Sequence, residues 1–518
     1  MKESLRRIVA IVRADFLIRF RRPSTVVVFL LLSFIGYVVM PVVGILGRRP
    51  IQSSAGVGLT TALLATFFVG IVGFYVTSNA VERDVVSRCG FVIASTTIRT
   101  REYIIGKFIG NVVFLGAFTA GFVASSMVTF GLRHGTALDP WLFVRQYLLV
   151  VPSAIVFVAV MAVVFEAVPF LSGRAGDVLY FFLWSGCSGV SAFVATNGSD
   201  VGVARYLDVS GFDFVFAQVS RAVLGAGESI AQRRGGPPPL FAFPALVLER
   251  EWILPRIVSI VAPLLLLVVA FRSFHRFDPA RLRSVAAKRQ KGWMTLIDAA
   301  CRPLTRVLFA LDRPASRKPS VRSAAFTDAR MTIASRPALL VGALGTAIAT
   351  VASPANGFAR GVLPVAFAVA GLAVADISCR ERRAGTLGLI HSAPRLKAGF
   401  LWWKLMSTTL IVLAFLAIPV ARVTFLRPLS AGAFGIGIFL TAAVATSFGV
   451  ISSNPKTFVI VLLMYLYVVA SDAGRSPALD FAGFYGTATP AATLTYAAIA
   501  LGAIVMAQAV HAVRVKRA

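Results

Sequence analysis

The sequence predicts an all-α polytopic membrane protein of about 12 transmembrane helices, built as two parallel six-helix repeats, each preceded by an amphipathic elbow helix. Three observations carry this. First, 57% of the 518 residues are hydrophobic, only 14% are charged, and mean hydropathy is +0.81. A soluble domain carries about 25% charged residues, because its surface demands them at any size. Second, the apolar residues gather into runs of roughly 17–25, each long enough to cross a bilayer. Third, a charged stretch recurs 297 positions later, at the same place in a second set of runs.

The N-terminus, MKESLRRIVAIVRADFLIRFRRPS, lacks the apolar core and cleavage site of a signal peptide. Its arginines recur through an apolar pattern, as in a helix lying along a membrane surface. Six runs follow, near 24–46, 55–80, 108–130, 147–165, 178–196 and 253–271. Six more fall near 338–352, 361–377, 405–421, 431–451, 457–471 and 491–513. The shorter ones gain length from snorkelling flanks or local bilayer thinning. The first repeat is therefore 1–272, with an external loop 197–252 that carries the turn-rich RRGGPPP. A basic linker, 273–336, joins it to the second repeat, 337–518. Within the linker, Trp293, Ile297, Leu304, Leu308 and Leu311 recur at near-helical intervals, as in a surface helix among anionic lipid headgroups.

Charge sets the orientation. Placing the N-terminus in the cytoplasm assigns 38 of the 52 Lys and Arg to cytoplasmic segments, so both termini are expected inside. The net charge of +30 is thus explained by banding between apolar runs. No RNP-like, zinc-finger or helix-turn-helix pattern accompanies it, which argues against nucleic acid. Four cysteines and four histidines are scattered, without CxxC or metal-ligand spacing. No catalytic cluster is apparent, and the candidates for intramembrane charge (Glu166, Asp177, Asp376, Asp472, Arg145, Arg256) fall near run ends, as snorkelling interfacial residues do. The chain also lacks a phosphate-cradling G-x-x-x-x-G-K-[ST] loop: its only Gly-Lys pair, Gly106-Lys107, is followed by Phe108.

The repeat pairs RDVVSRCGFVIASTTIRTREYIIGK, Arg83 to Lys107, with RERRAGTLGLIHSAPRLKAGFLWWK, Arg380 to Lys404. Without gaps, Arg83 matches Arg380, Asp84 matches Glu381, Ile93 matches Ile390, Ser95 matches Ser392 and Lys107 matches Lys404. Both copies lie between the second and third runs of their half. DFLIRFRRP precedes the first run, and DARMTIASRP precedes the seventh.

These residues resemble the permeases of the second export class of ATP-binding-cassette transporters. The resemblance lies in a basic-Pro elbow, a small-residue motif at Ala94-Ser95-Thr96-Thr97, and the sequence Tyr103, Gly106, Lys107 opening the third helix. The second copy carries Gly385-Thr386-Leu387, Ser392-Ala393-Pro394 and Lys404, but departs at Phe400 and Trp403. The resemblance implies that each copy is a coupling segment seated in a groove of a separate cytoplasmic ATPase. Asp84, Arg88, Arg99, Arg101 and Glu102 would give register, with Phe91, Val92 and Ile93 giving grip, and Ser95, Tyr103 and Lys107 completing the motif. In the second half Glu381, Arg382, Arg383 and Arg395 would play the charged part, and Leu387, Leu389 and Ile390 the apolar part, with Ser392, Pro394 and Lys404. It further implies two ATPase copies per chain, no cofactor in this chain, ATP and Mg in the partner, and a bacterial inner-membrane location. Cargo would be apolar or amphipathic, leaving for the outside. An ATP-independent secondary transporter with two six-helix halves is the alternative.

Overall fold

The computed structural model describes residues 2–21, 48–51, 53–78, 80–87, 89–134, 138–168, 174–197, 204–225, 240–274, 320–335, 338–472 and 476–517, with the single positions 25, 29, 33, 45, 171, 277 and 474. Apart from positions 25, 29, 33 and 45, the run at 24–46 lies outside the described residues, as do the RRGGPPP turn and the surface helix expected over 293–311. The chain divides into two compact units, Met1–Arg289 and Gln290–Ala518.

In the first unit, helix α1 (Lys2–Phe20) covers the stretch expected as an elbow and is called so below, α2 (Ser54–Thr77) is the first long apolar helix, and two short helices follow, α3 (Ala80–Val86) and α4 (Cys89–Ser95). Then come α5 (Thr100–His134), α6 (Pro140–Ala167), α7 (Arg174–Asn197), α8 (Phe212–Gly225) and α9 (Arg250–Ser273). Local chemistry sets the boundaries. Ser53 accepts from the Gly56 N–H to cap α2, while Asp139 caps α6 directly ahead of Pro140.

The second unit holds α10 (Val321–Ser335), α11 (Ala338–Ala352), α12 (Leu363–Val374) and three short helices, α13 (Arg380–Arg383), α14 (Leu387–His391) and α15 (Pro394–Ala398). It closes with α16 (Phe400–Leu426), α17 (Ala431–Ser452), α18 (Pro455–Asp472) and α19 (Pro490–Arg517). The end of the stretch expected to be linker is therefore helical: α10 packs along α16.

Seven helices among the described residues are long and apolar enough to span a bilayer, and they coincide with seven of the twelve expected runs. Three more apolar helices, over Leu340–Ala352, Leu363–Val374 and Pro455–Ala470, are shorter. The chain is thus an all-α membrane-embedded protein. Its only sheet among the described residues is a two-residue parallel pairing of Arg49–Pro50 with Leu240–Phe241. Burial separates central from peripheral helices. The most apolar window of Ser54–Thr77 is 89% buried, and that of Pro140–Ala167 is 72%, so these two form the heart of the first unit. The corresponding window of Pro490–Val515 is only 22% buried, and Leu494, Leu501 and Val505 stand exposed on it, an outward apolar face suited to lipid.

The described parts of the expected external loop, 204–225 and 240–252, are held by specific hydrogen bonds. Asp208 is fully buried and accepts from the Phe214 N–H and the Ser210 hydroxyl, which fixes the start of α8. Gln218 and Val247 exchange two hydrogen bonds, and Arg145 donates to the Leu246 carbonyl. Arg256, expected to snorkel, instead turns inward and is 6% exposed. It donates to the carbonyls of Asp208, Leu149 and Val150 and to the Ser153 hydroxyl. Its five fixed donors serve these inward acceptors together, and its guanidinium lies 3.8 Å from the buried Asp208 carboxylate, which explains the correction.

Candidate functional site: two buried charge quartets and the segments they hold

In the first unit the elbow lies along α5, and Gly106 permits the approach: a β-carbon there would sit 3.0 Å from Ile11. This close packing brings Asp15 of α1 to Lys107 of α5 at 3.0 Å and to Arg83 of α3 at 2.5 Å. Lys107 also reaches Asp84 at 2.7 Å, and the Tyr103 hydroxyl donates to the same carboxylate at 2.7 Å. Two anions and two cations balance, which is how charge survives away from water. Burial disfavours the Asp15 anion, but Lys107, Arg19 and Arg83 outweigh it and hold the carboxyl below its usual range. Arg19, one turn along the elbow, donates to the Thr77 carbonyl at the end of α2.

The second unit builds the same constellation. Asp328 of α10 accepts from Arg380 and lies 3.2 Å from Lys404 of α16, with Ser407 donating to its other oxygen at 2.8 Å. Lys404 reaches Glu381 at 2.5 Å, and Arg380 reaches it at 3.1 Å. Burial disfavours the Arg380 cation, yet Asp328 and Glu381 prevail and hold its proton more tightly than usual. Where the first copy has Gly106, the second has Trp403, whose ring lies 4.3 Å from the Lys404 ammonium. An aromatic face then supports the cation.

Between the quartets' members run the two short-helix segments. Glu166, at the end of α6, accepts from the N–H groups of Ala80 at 2.9 Å and Val81 at 2.5 Å, capping α3. Phe277 packs on Tyr103 and Phe274 beneath the first segment. In the second, Gly385 (φ 73°) ends α13 with the Thr386 N–H returning to the Glu381 carbonyl, a turn that favours glycine. His391 of α14 lies 5.8 Å from His511 of α19, whose ring contacts the Lys397 carbonyl. Both segments close alike: the Ser95 hydroxyl donates to the Val92 carbonyl, and that of Ser392 to the Leu389 carbonyl.

The residues singled out from sequence fall into two groups. Asp84, Glu102, Tyr103, Lys107, Glu381 and Lys404 are buried. Asp84, Glu102 and Glu381 were expected to give register to a partner. They point inward because Lys107, the Arg99 N–H and Lys404 engage them. Phe91, Ser95, Arg99, Arg101, Arg382, Arg383 and Ser392 face outward, and Leu387 is half-buried. Arg88 and the side chains of Pro394 and Arg395 lie outside the described residues. Asp15, Asp328 and Glu166 were missed as site residues. Asp15 and Asp328 were legible as the residues opening DFLIRFRRP and DARMTIASRP, whereas nothing in the sequence ties Glu166 to Ala80.

No family model matches this chain, and no curated protein or solved structure matches it.

Proposed function

We propose that this chain is the membrane-spanning subunit of an ATP-driven exporter, with two six-helix repeats in one chain and its ATPase on a separate polypeptide. One observation carries the reading. Each unit fastens an elbow helix to a projecting short-helix segment through an Asp, an Arg, a second carboxylate and a Lys, three of them 297 positions apart. A segment tied to the elbow and to the following span moves as one body with them, which is what transmission from a partner requires. Closure of two ATPase copies would then rock the halves and open the path for an apolar or amphipathic cargo. The termini and both segments would face the cytoplasm, at a bacterial inner membrane.

The secondary-transporter alternative needs a titratable carboxylate deep in a span. Among the described residues the carboxylates of the seven long helices are Glu102, Glu166 and Glu251, all in a first or last turn. This favours coupling in trans.

The test is gentle co-purification of the tagged chain from its native membrane, with ATP hydrolysis assayed on the product. The expected result is a P-loop ATPase at two copies per chain, lost when Val92→Glu and Leu389→Glu are combined while the melting temperature of the chain is kept. A chain recovered alone, transporting without ATP, replaces this reading with the secondary transporter.

A further inference from the structure

Burial of Asp84, Glu102 and Glu381 leaves the outward faces of both segments without a described carboxylate side chain. Arg99 and Arg101 remain on the first, and Arg382 and Arg383 on the second. Each face also projects one aliphatic side chain at the matching position: Val92 is 66% exposed and Leu389 is 75% exposed. One position earlier the two diverge. The first segment adds Phe91, 41% exposed, and the second has Gly388, where an added β-carbon meets nothing within 4 Å.

From this, and resting on the exporter reading, we infer that the two segments hold their ATPase copies unequally: Phe91 and Val92 anchor the first copy firmly in an apolar groove rimmed by carboxylates, and Leu389 holds the second weakly. Charge complementarity selects the acidic rim, since the exposed cations of each face have no described carboxylate beside them on that segment. An aromatic anchor in a pocket contributes far more to binding than the contacts around it. Gly388 leaves that pocket unfilled on the second copy. A lipid surface is the poorer occupant. Helices of 7 and 5 residues offer little apolar face to a membrane. Moreover, each segment is tied rigidly to its quartet, a preorganisation that favours a shaped groove. Assembly then proceeds through a chain carrying one ATPase.

The experiment titrates the P-loop ATPase recovered with the chain onto the full chain in nanodiscs, counting copies per particle by single-molecule mass measurement. Two affinities are expected, differing by about tenfold or more, both weakening with added salt. Phe91→Gly should weaken the tight site about 30-fold and leave the weak one unchanged. Gly388→Phe should tighten the weak site, a gain that misfolding cannot produce. Two equal sites, or equal loss at both in Phe91→Gly, overturn the inference and leave the exporter reading standing. Absence of any ATPase binding overturns both. A Phe91→Trp variant separates lipid from protein: an emission shift on adding anionic lipid alone overturns the proposal, and a shift only on adding ATPase supports it.

Discussion

Asp15 and Lys107, 92 residues apart in the chain, meet at 3.0 Å with their side chains 4% and 3% exposed. A buried pair of this kind contributes modestly while intact, because desolvation offsets attraction. Its loss is expensive, since the surviving charge stays buried. Asp15→Asn should therefore destabilise the first unit by about 3 kcal/mol, with Asp84 still partly compensating Lys107. Thermal unfolding in mild detergent checks this. Asp328→Asn should act similarly through Lys404, whereas Glu3→Gln, in an exposed pair with Arg7, should leave the melting temperature unchanged.

Acid should release the elbow late. The Asp15 carboxyl is held below its ordinary value of 3.8, against burial, by Lys107 and Arg19. A carboxyl with a depressed folded-state value stabilises fully above its unfolded value and loses that contribution as pH falls through the folded one. Amide exchange along α1 should stay slow down to pH 3.8 and quicken only below it. Release already at pH 5 would contradict the ion pairing.

The Glu166 cap predicts a local effect. Glu166→Ala removes the acceptor of the Ala80 and Val81 N–H groups, worth about 1–2 kcal/mol for a helix start. Hydrogen exchange should rise over 80–86, with little change in α14 or α15.

Arg256→Lys should not be tolerated as a conservative change. A lysine keeps the charge near Asp208 but cannot reproduce the fork that serves three carbonyls and the Ser153 hydroxyl, so buried acceptors are left without donors. A loss of about 1–3 kcal/mol is expected. Trypsin should then cut at Arg205 and Arg221 faster than in the parent, before the rest of the first unit opens.

The second segment should respond to mild acid. Burial first, then His511 and Lys397, hold His391 below its ordinary value of 6.5. The unfolded chain therefore takes up the proton first, and the contribution of His391 to stability falls as pH drops from 6.5 through the folded-state value. Exchange over 387–391 should increase across that window, and His391→Phe should abolish the dependence.

Much of the architecture was legible. Seven expected runs became long helices because spanning depends on local apolar length, which a window of sequence states directly. The internal match of Arg83, Asp84 and Lys107 with Arg380, Glu381 and Lys404 was legible too. The role of these residues was not: a carboxylate in a basic loop reads as a solvated charge until its neighbours are known. Arg256 misled for the same reason, since position near a run end says nothing about the acceptors that Asp208, Leu149, Val150 and Ser153 present to it.

The sequence by itself determined that this chain lives in a membrane, where its long helices lie, and which charges recur. Those are properties of composition and spacing, additive along the chain. Only the tertiary structure decided which way the charges point. Asp15 turns to Lys107 because Gly106 lets the elbow lie close, and that contact withdraws Asp84 from the surface while leaving Phe91 and Val92 on it. Facing depends on packing between distant segments, and no local pattern encodes it.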